Sequence, residues 1–519
     1  MNRRDFMAVT GATLVAPVAD TLAAGAAAVD FDPTERSVDA LQQALASRAV
    51  SSAALTSAYL ERIARYDQAG PTHRSVLALN PDALGDARTL DAERRAGRIR
   101  GAWHGVPVLI KDNIETAGRL PATAGSLALA RSTHTVDAPL VARLRAAGAL
   151  ILGKANLSEW ANFRSQRSSS GWSALGGQTG NAYASDRNPS GSSSGSAVAA
   201  ALSLCAIAIG TETNGSILSP SSLNGLVGLK PTKGLVSGDG IVPISPRQDT
   251  AGPMGRTVAD VAALAAVIAE RPLGFGAYGT GLEQFRLRGV RIGAMPLTKT
   301  SHPAVARLYE QARSVLEREG AVVIDHKPPA AFEELGEAEF EALLYEFKAS
   351  LNDYLAAQDP SRVPSRTLAD LIAFNEAHAK EELSEFGQDI FELAEARGPL
   401  TDAVYLKALA TLARCADVEG LAALLARERV DVLIELGNGP AERIDHVWGD
   451  RRTDGNWSAI ASAAAIAGYP SLTVPVGLAR GLPVGLTLVA PRFQDGLLLQ
   501  VGRAYERAGN ARVAPRLAG

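Results

Sequence analysis

Cysteine is almost missing from this chain. Its 519 residues include two, Cys205 and Cys415, enough for one bridge at most, which excludes a disulfide-stapled scaffold. Cys205 sits in the apolar run Leu204-Cys205-Ala206-Ile207-Ala208-Ile209, where a thiol behaves as a small buried hydrophobe. Excess charge of either sign is missing as well. The 52 basic and 55 acidic residues leave a net charge of −3, so there is no electrostatic footprint for nucleic acid or for an anionic membrane surface. A small-molecule or peptide partner fits better. Metal-ligand spacing is also absent: His104 and His446 are isolated, with no His-x-x-x-His or Cys-x-x-Cys companion, which speaks against a metal site. No internal repeat of fixed period is visible.

With 46% hydrophobic residues and a mean hydropathy near zero, the chain reads as soluble and globular, long enough for one large domain or two to three ordinary ones. At the N-terminus, Arg3-Arg4-Asp5-Phe6-Met7 precedes a weakly apolar stretch, Ala8 to Ala28, that ends in small residues. The stretch is too polar for a membrane span. Gly11, Pro17 and Asp20 interrupt it as a first helix. It resembles a twin-arginine signal peptide. The expectation is a signal at residues 1–28, a mature domain at 29–519, export to the periplasm and no membrane insertion.

Helical spacing at Val38, Leu41, Leu45, Leu55, Tyr59, Leu60 and Ile63 predicts two amphipathic helices on a core. Gly105-Val106-Pro107-Val108-Leu109-Ile110 reads as a buried strand whose carboxyl end meets the polar Lys111-Asp112-Asn113. A helix follows, with Asp137 as its N-cap, Pro139 in its first turn and Gly148 as its stop. Leu150-Ile151-Leu152-Gly153 is the next buried strand. Strand, helix, strand in that order implies parallel pairing in an α/β layer architecture. Residues 165–196 are rich in Ser, Gly, Asn and Gln. A linker is the plain alternative, but this stretch runs straight into a helix-like and then a strand-like segment instead of separating two domains. Residues 330–430 are helical and charge-rich, a layer expected to cover one side of the sheet. Ser471–Val476 and Val484–Val489 read as two strands joined by a Gly-containing turn.

Hydrolysis of an amide needs a nucleophile, a base and donors for the oxyanion, and the chain offers several serines. Gly191-Ser192-Ser193-Ser194-Gly195 matches the G-x-S-x-G elbow, which would make Ser193 the nucleophile. The elbow requires a hydrophobic strand before it, whereas Asn181–Pro189 is polar. A Ser-x-x-Lys pair is not present anywhere in the chain. What remains is a long ordered pattern: Gly105–Asn113, then Pro189–Ser196, then Gly210-Thr211-Glu212-Thr213-Asn214-Gly215-Ser216-Ile217. Gly225–Thr232, Asp249–Met254 and Gly468–Pro475 continue it. This pattern resembles the amidase-signature family over most of the mature chain.

The resemblance implies a single large α/β domain, a central mixed β-sheet covered by helices on both faces. In that family the first serine of the Gly/Ser motif follows a cis peptide bond and the nucleophile lies 24 positions later, the separation of Ser192 and Ser216. Carried over by position, Lys111 is the base, Ser192 the bridging serine and Ser216 the nucleophile. Backbone N–H groups of Thr213, Asn214, Gly215 and Ser216 form the oxyanion hole. No metal and no cofactor are implied. A lysine with a pKa near ~10.4 serves as a base only if burial lowers it. Lys154 and Lys230 lack the strand-to-Lys-Asp-Asn context and are expected to be structural or solvated. Asn214 stands where many members have Gly, although Asn also tolerates positive φ; Glu212, Ser190 and Ser194 stand where Asp and two glycines are common. The runs Ser170–Ala174 and Gly176–Thr179 are most similar to bacterial peptide amidases, which implies removal of the C-terminal amide of peptides with release of ammonia. Small aliphatic, aryl or fatty-acid amides, or esters, are the alternative substrates, and a catalytically inactive binding protein is the alternative from another class.

Overall fold

A computed structural model describes residues 31–274, 280–297, 301–450 and 458–517. The expected signal, residues 1–28, lies outside the described residues. The first apolar spacing becomes two helices, Val38–Ala46 and Ser52–Arg62, whose N-termini are capped by the hydroxyls of Ser37 and Ser51. Val38, Leu41, Leu45, Leu55, Tyr59 and Ile63 are all buried in the main core.

The strands are β1 Val76–Leu79, β2 Pro107–Lys111, β3 Leu150–Ala155, β4 Trp172–Ser173, β5 Gly177–Gln178, β6 Ile207–Glu212 and β7 Val227–Lys230. They continue with β8 Thr250–Gly255, β9 Arg291–Ala294, β10 Val322–Asp325, β11 Val432–Leu436, β12 Ser471–Ala479 and β13 Leu482–Val489. Eleven of them form one sheet in the order β1-β3-β2-β6-β8-β7-β12-β13-β11-β9-β10, while β4 and β5 pair as a small hairpin. The sheet is mixed. Strands β3, β2 and β6 run parallel, β6 to β8 and β12 to β13 antiparallel, and β11, β9 and β10 parallel again. Every residue of β2, β3, β6, β7 and β8 is buried, so helices cover both faces. The β12–β13 turn is the two-residue Arg480-Gly481, both at positive φ, a twist that matches the flanking strands.

Two expectations need correcting. The helix after β2 spans Pro139–Ala146, but Ala138 holds the capping position. The Asp137 carboxylate instead accepts the Ala117 N–H at 2.7 Å and pairs with Arg145 at 3.0 Å. A cationic partner and a half-buried N–H outcompete the weaker local cap. The helical layer also does more than cover a sheet face. Leu335–Ala357 packs with Trp160 of the short 3₁₀ turn Glu159–Asn162 and with Phe163, Val242 and Ile244 in loops, and a second cluster joins Tyr345, Tyr405 and Leu412 to Leu433 and Val489 of the sheet. The layer therefore sits over loops as well as over strands.

Candidate active site

Strands β2 and β6 are parallel neighbours, so Lys111 and Thr211 emerge together at the carboxyl ends of the strands. Lys111 is completely buried. Its Nζ lies 2.8 Å from Ser192 Oγ and 2.9 Å from Thr211 Oγ1, with the Thr211 carbonyl at 3.3 Å. Asn113 Nδ2 donates to the same Thr211 hydroxyl at 3.0 Å and so fixes its orientation. Among the described residues no carboxylate forms an ion pair with this lysine. Burial pulls the Lys111 pKa down to about 7, with Asp249 and Glu212 at longer range opposing the shift.

The Ser/Gly-rich stretch is a folded strap rather than a linker. Ser193 Oγ accepts the Thr211 N–H and donates to the Thr211 carbonyl, and Ser196 Oγ donates to Ile209, so its hydroxyls stitch the strap to β6. The Ser193 hydroxyl is thus engaged with β6 as both donor and acceptor, whereas the Ser192 hydroxyl meets Lys111. The Gly191–Ser192 bond is cis. Gly191 is a close approach: a Cβ there would stand 2.1 Å from Ser158 Oγ and 2.9 Å from Ser170 Oγ. The helix Ser194–Ala201 then leads back under the sheet.

Ser216 is reached by the turn between β6 and the helix Leu218–Leu223. The Glu212 carboxylate accepts the N–H groups of Ile217 at 2.7 Å and Leu218 at 3.0 Å, which satisfies the helix entrance and shapes the turn. Gly215 supplies the positive φ, +83°; Asn214 does not. Ser193 N–H donates to the Ser216 carbonyl at 3.1 Å, so the strap and the turn are joined beside Ser192. No hydrogen bond links the Ser192 and Ser216 hydroxyls directly. No acceptor among the described residues takes the N–H groups of Thr213, Asn214, Gly215 or Ser216. All the sequence-derived site residues thus gather at the carboxyl ends of β2 and β6, with Lys111 and Ser192 in contact and Ser216 attached through its backbone.

Lys154 and Lys230 are fully buried too, so neither is solvated. Each donates to a main-chain carbonyl, Ile114 and Pro231 respectively. Thr211 and Asn113 lie within the sequence motifs without a role evident from sequence, and Gln248 and Glu339 carry no motif signal of their role at the turn. Among the described residues no group of three or more His, Cys, Asp or Glu is arranged to hold a metal.

The amidase family model matches residues 54–499. The chain belongs to the amidase family. It is 38% identical to a probable amidase of Arabidopsis thaliana, over 94% of this chain and 92% of the relative. The native peptide amidase of Stenotrophomonas maltophilia matches with 46% identity and a TM-score of 0.86, covering 94% of this chain and 99% of that one. An amidase family protein from Bacillus anthracis matches at 32% identity and TM-score 0.83, covering 96% of each. This protein is therefore an amidase that hydrolyses amide C–N bonds. Its departures from the family pattern are accommodated locally. Ser190 takes a positive φ of +60° where glycine is common, and its hydroxyl bonds that of Ser219. Ser194 Oγ donates to the Ser190 carbonyl at 2.6 Å.

Proposed function

We propose that Ser216 attacks the substrate carbonyl while Ser192 passes the Ser216 proton to neutral Lys111. Ser216 Oγ bonds to the carbonyl carbon, and the C=O electrons move to oxygen, where the N–H groups of Thr213, Asn214, Gly215 and Ser216 receive the charge. When the C–N bond breaks, the leaving nitrogen takes back a proton from the Lys111 ammonium through Ser192. Water then attacks the acyl-enzyme by the same proton route and frees the carboxylate. One observation carries this reading: a completely buried lysine, with a pKa pulled down to about 7, bonded to the Ser192 hydroxyl at 2.8 Å. A base poised near neutrality is what general base catalysis asks for.

The substrate is the C-terminal carboxamide of a peptide, and ammonia is the product. This is supported by the 46% identity to a peptide amidase over 94% of this chain. The run around the β4–β5 hairpin, which suggested this substrate, packs directly on Gly191 through Ser170. The test is a panel of peptide amides, fatty amides, arylamides and matched esters, with ammonia, amine or alcohol release followed. Ammonia from peptide amides is expected. Faster turnover of arylamides or fatty amides would overturn the substrate, turnover of esters alone would favour an esterase, and binding without turnover an inactive binding protein. The Arg3-Arg4 segment supports export to the periplasm; loss of periplasmic activity in an Arg3→Lys, Arg4→Lys double variant tests it.

A further inference from the structure

The oxyanion turn is gripped from outside by groups that take no part in the proton relay. Gln248 is buried, and its Nε2 donates to the Thr213 carbonyl at 3.2 Å and to Glu339 Oε1 at 2.7 Å. Both Glu339 oxygens lie 2.9 Å from Asn214 Nδ2. Ser462 Oγ, on the helix Ala459–Ala467, holds the other end of that amide at 3.2 Å. Glu339 comes from the helix Leu335–Ala357, more than a hundred residues away in sequence.

A peptide unit is planar, and its C=O and N–H point in opposite directions. A bond that pins the Thr213 carbonyl therefore aims the Asn214 N–H the other way. The Gly215 carbonyl is pinned likewise by the Ser219 N–H at 2.8 Å, which sets the Ser216 N–H. The Gln248 amide shows that it is held for its donors: both Nε2 hydrogens meet acceptors, while its buried Oε1 has no partner. An acceptor carbonyl on one side and a carboxylate on the other leave this orientation as the one compatible with the bonding.

We infer that Gln248 and Glu339 are positioning residues for the oxyanion hole: Glu339 orients the Gln248 and Asn214 amides, and Gln248 fixes the Thr213–Asn214 peptide plane so that the Asn214 N–H meets the developing oxyanion. The inference rests on the oxyanion reading of the Thr213–Ser216 turn. It explains how this chain keeps a working turn with Asn in place of the common Gly, because the added side chain is itself part of the clamp.

The test compares a peptide aldehyde, whose adduct on Ser216 places an oxyanion in the hole, with the matching peptide alcohol, which forms no adduct. Gln248→Met is expected to lower kcat for a peptide amide about ten- to a hundredfold, less than the roughly hundred- to thousandfold typical of losing an oxyanion donor outright, with KM within twofold. Aldehyde affinity falls in parallel while alcohol affinity holds. Glu339→Gln, which keeps the shape but places a donor against two donors, shows the same pattern more weakly and guards against misfolding of the first variant. Equal weakening of aldehyde and alcohol, or an unchanged kcat in both variants, would overturn the inference. If the wild-type enzyme itself shows no preference for aldehyde over alcohol, the oxyanion reading fails first. If it shows the preference and Gln248→Met keeps it, this inference fails alone.

Discussion

The carboxyl ends of β2 and β3 are neighbours in one sheet, and each carries a lysine that has lost all contact with solvent, Lys111 as the last residue of β2 and Lys154 one before the end of β3. Burial acts alike on both, drawing the pKa down to about 7 at Lys111 and about 8 at Lys154. Their partners differ. Lys154 donates to the Ile114 carbonyl, and the downward shift of its pKa is opposed by the charge of Asp112, whose own pKa burial pushes up to about 6. Lys111 faces the hydroxyls of Ser192 and Thr211. A carbonyl can only accept, so it anchors an amine without exchanging a proton; a hydroxyl can give one up. Desolvation therefore makes a lysine available as a base, and the bonded neighbour decides whether that availability becomes chemistry.

The comparison can be broken most sharply at the nucleophile and the base. Ser216→Ala is expected to lower kcat by about a millionfold, and Lys111→Ala by about a hundred- to ten-thousandfold, measured as ammonia release from a peptide amide. Near-normal rates in either variant would sink the assigned chemistry. Lys154→Met should do the reverse: it leaves Asp112 buried without its counter-charge and costs about 3 to 5 kcal/mol of stability in urea unfolding, while the folded enzyme keeps kcat within a fewfold. A large kcat loss in folded Lys154→Met would erase the distinction. Ser193→Ala, which removes a bonded hydroxyl from the strap, is expected to cost roughly 1 to 2 kcal/mol and leave the enzyme active; an inactive but stable variant would revive the elbow reading. The smallest effect concerns pH. With neutral Lys111 as the proposed base, kcat/KM should rise with pH through about 7 and fall about tenfold per unit below that. In Thr211→Val the limb should move to lower pH, since an acceptor that favours the ammonium is lost; a limb that moves to higher pH would count against Lys111 as the titrating group.

Much of the fold around the site was legible before any coordinates. The burial of Val108, Leu109 and Ile110, the parallel β2–β3 pair and the β12–β13 hairpin follow from apolar runs and turn residues, because strand and turn preferences act over a few positions. The Asp137 cap was misread because Arg145 and the Ala117 N–H claim its carboxylate, and the Ala117 contact spans twenty positions. The Ser/Gly strap carried its chemistry in plain view but not its shape: serine hydroxyls stitched to β6 and serines in a loose linker have the same composition. Glu339 left no signal at all, being one acidic residue among many in a charged helix.

The order and spacing of Lys111, Ser192 and Ser216, and the helical and strand segments that carry them, were set by the sequence alone, since motif spacing and hydrophobic periodicity are local properties of a chain. Tertiary structure decided which buried lysine meets hydroxyls, which serine is spent on β6, and which distant carboxylate holds the Thr213–Ser216 turn. Those outcomes depend on desolvation and on hydrogen-bond partners brought together across more than a hundred residues, as with Asn214 and Glu339, and neither exists until the sheet and its covering helices have closed around the site.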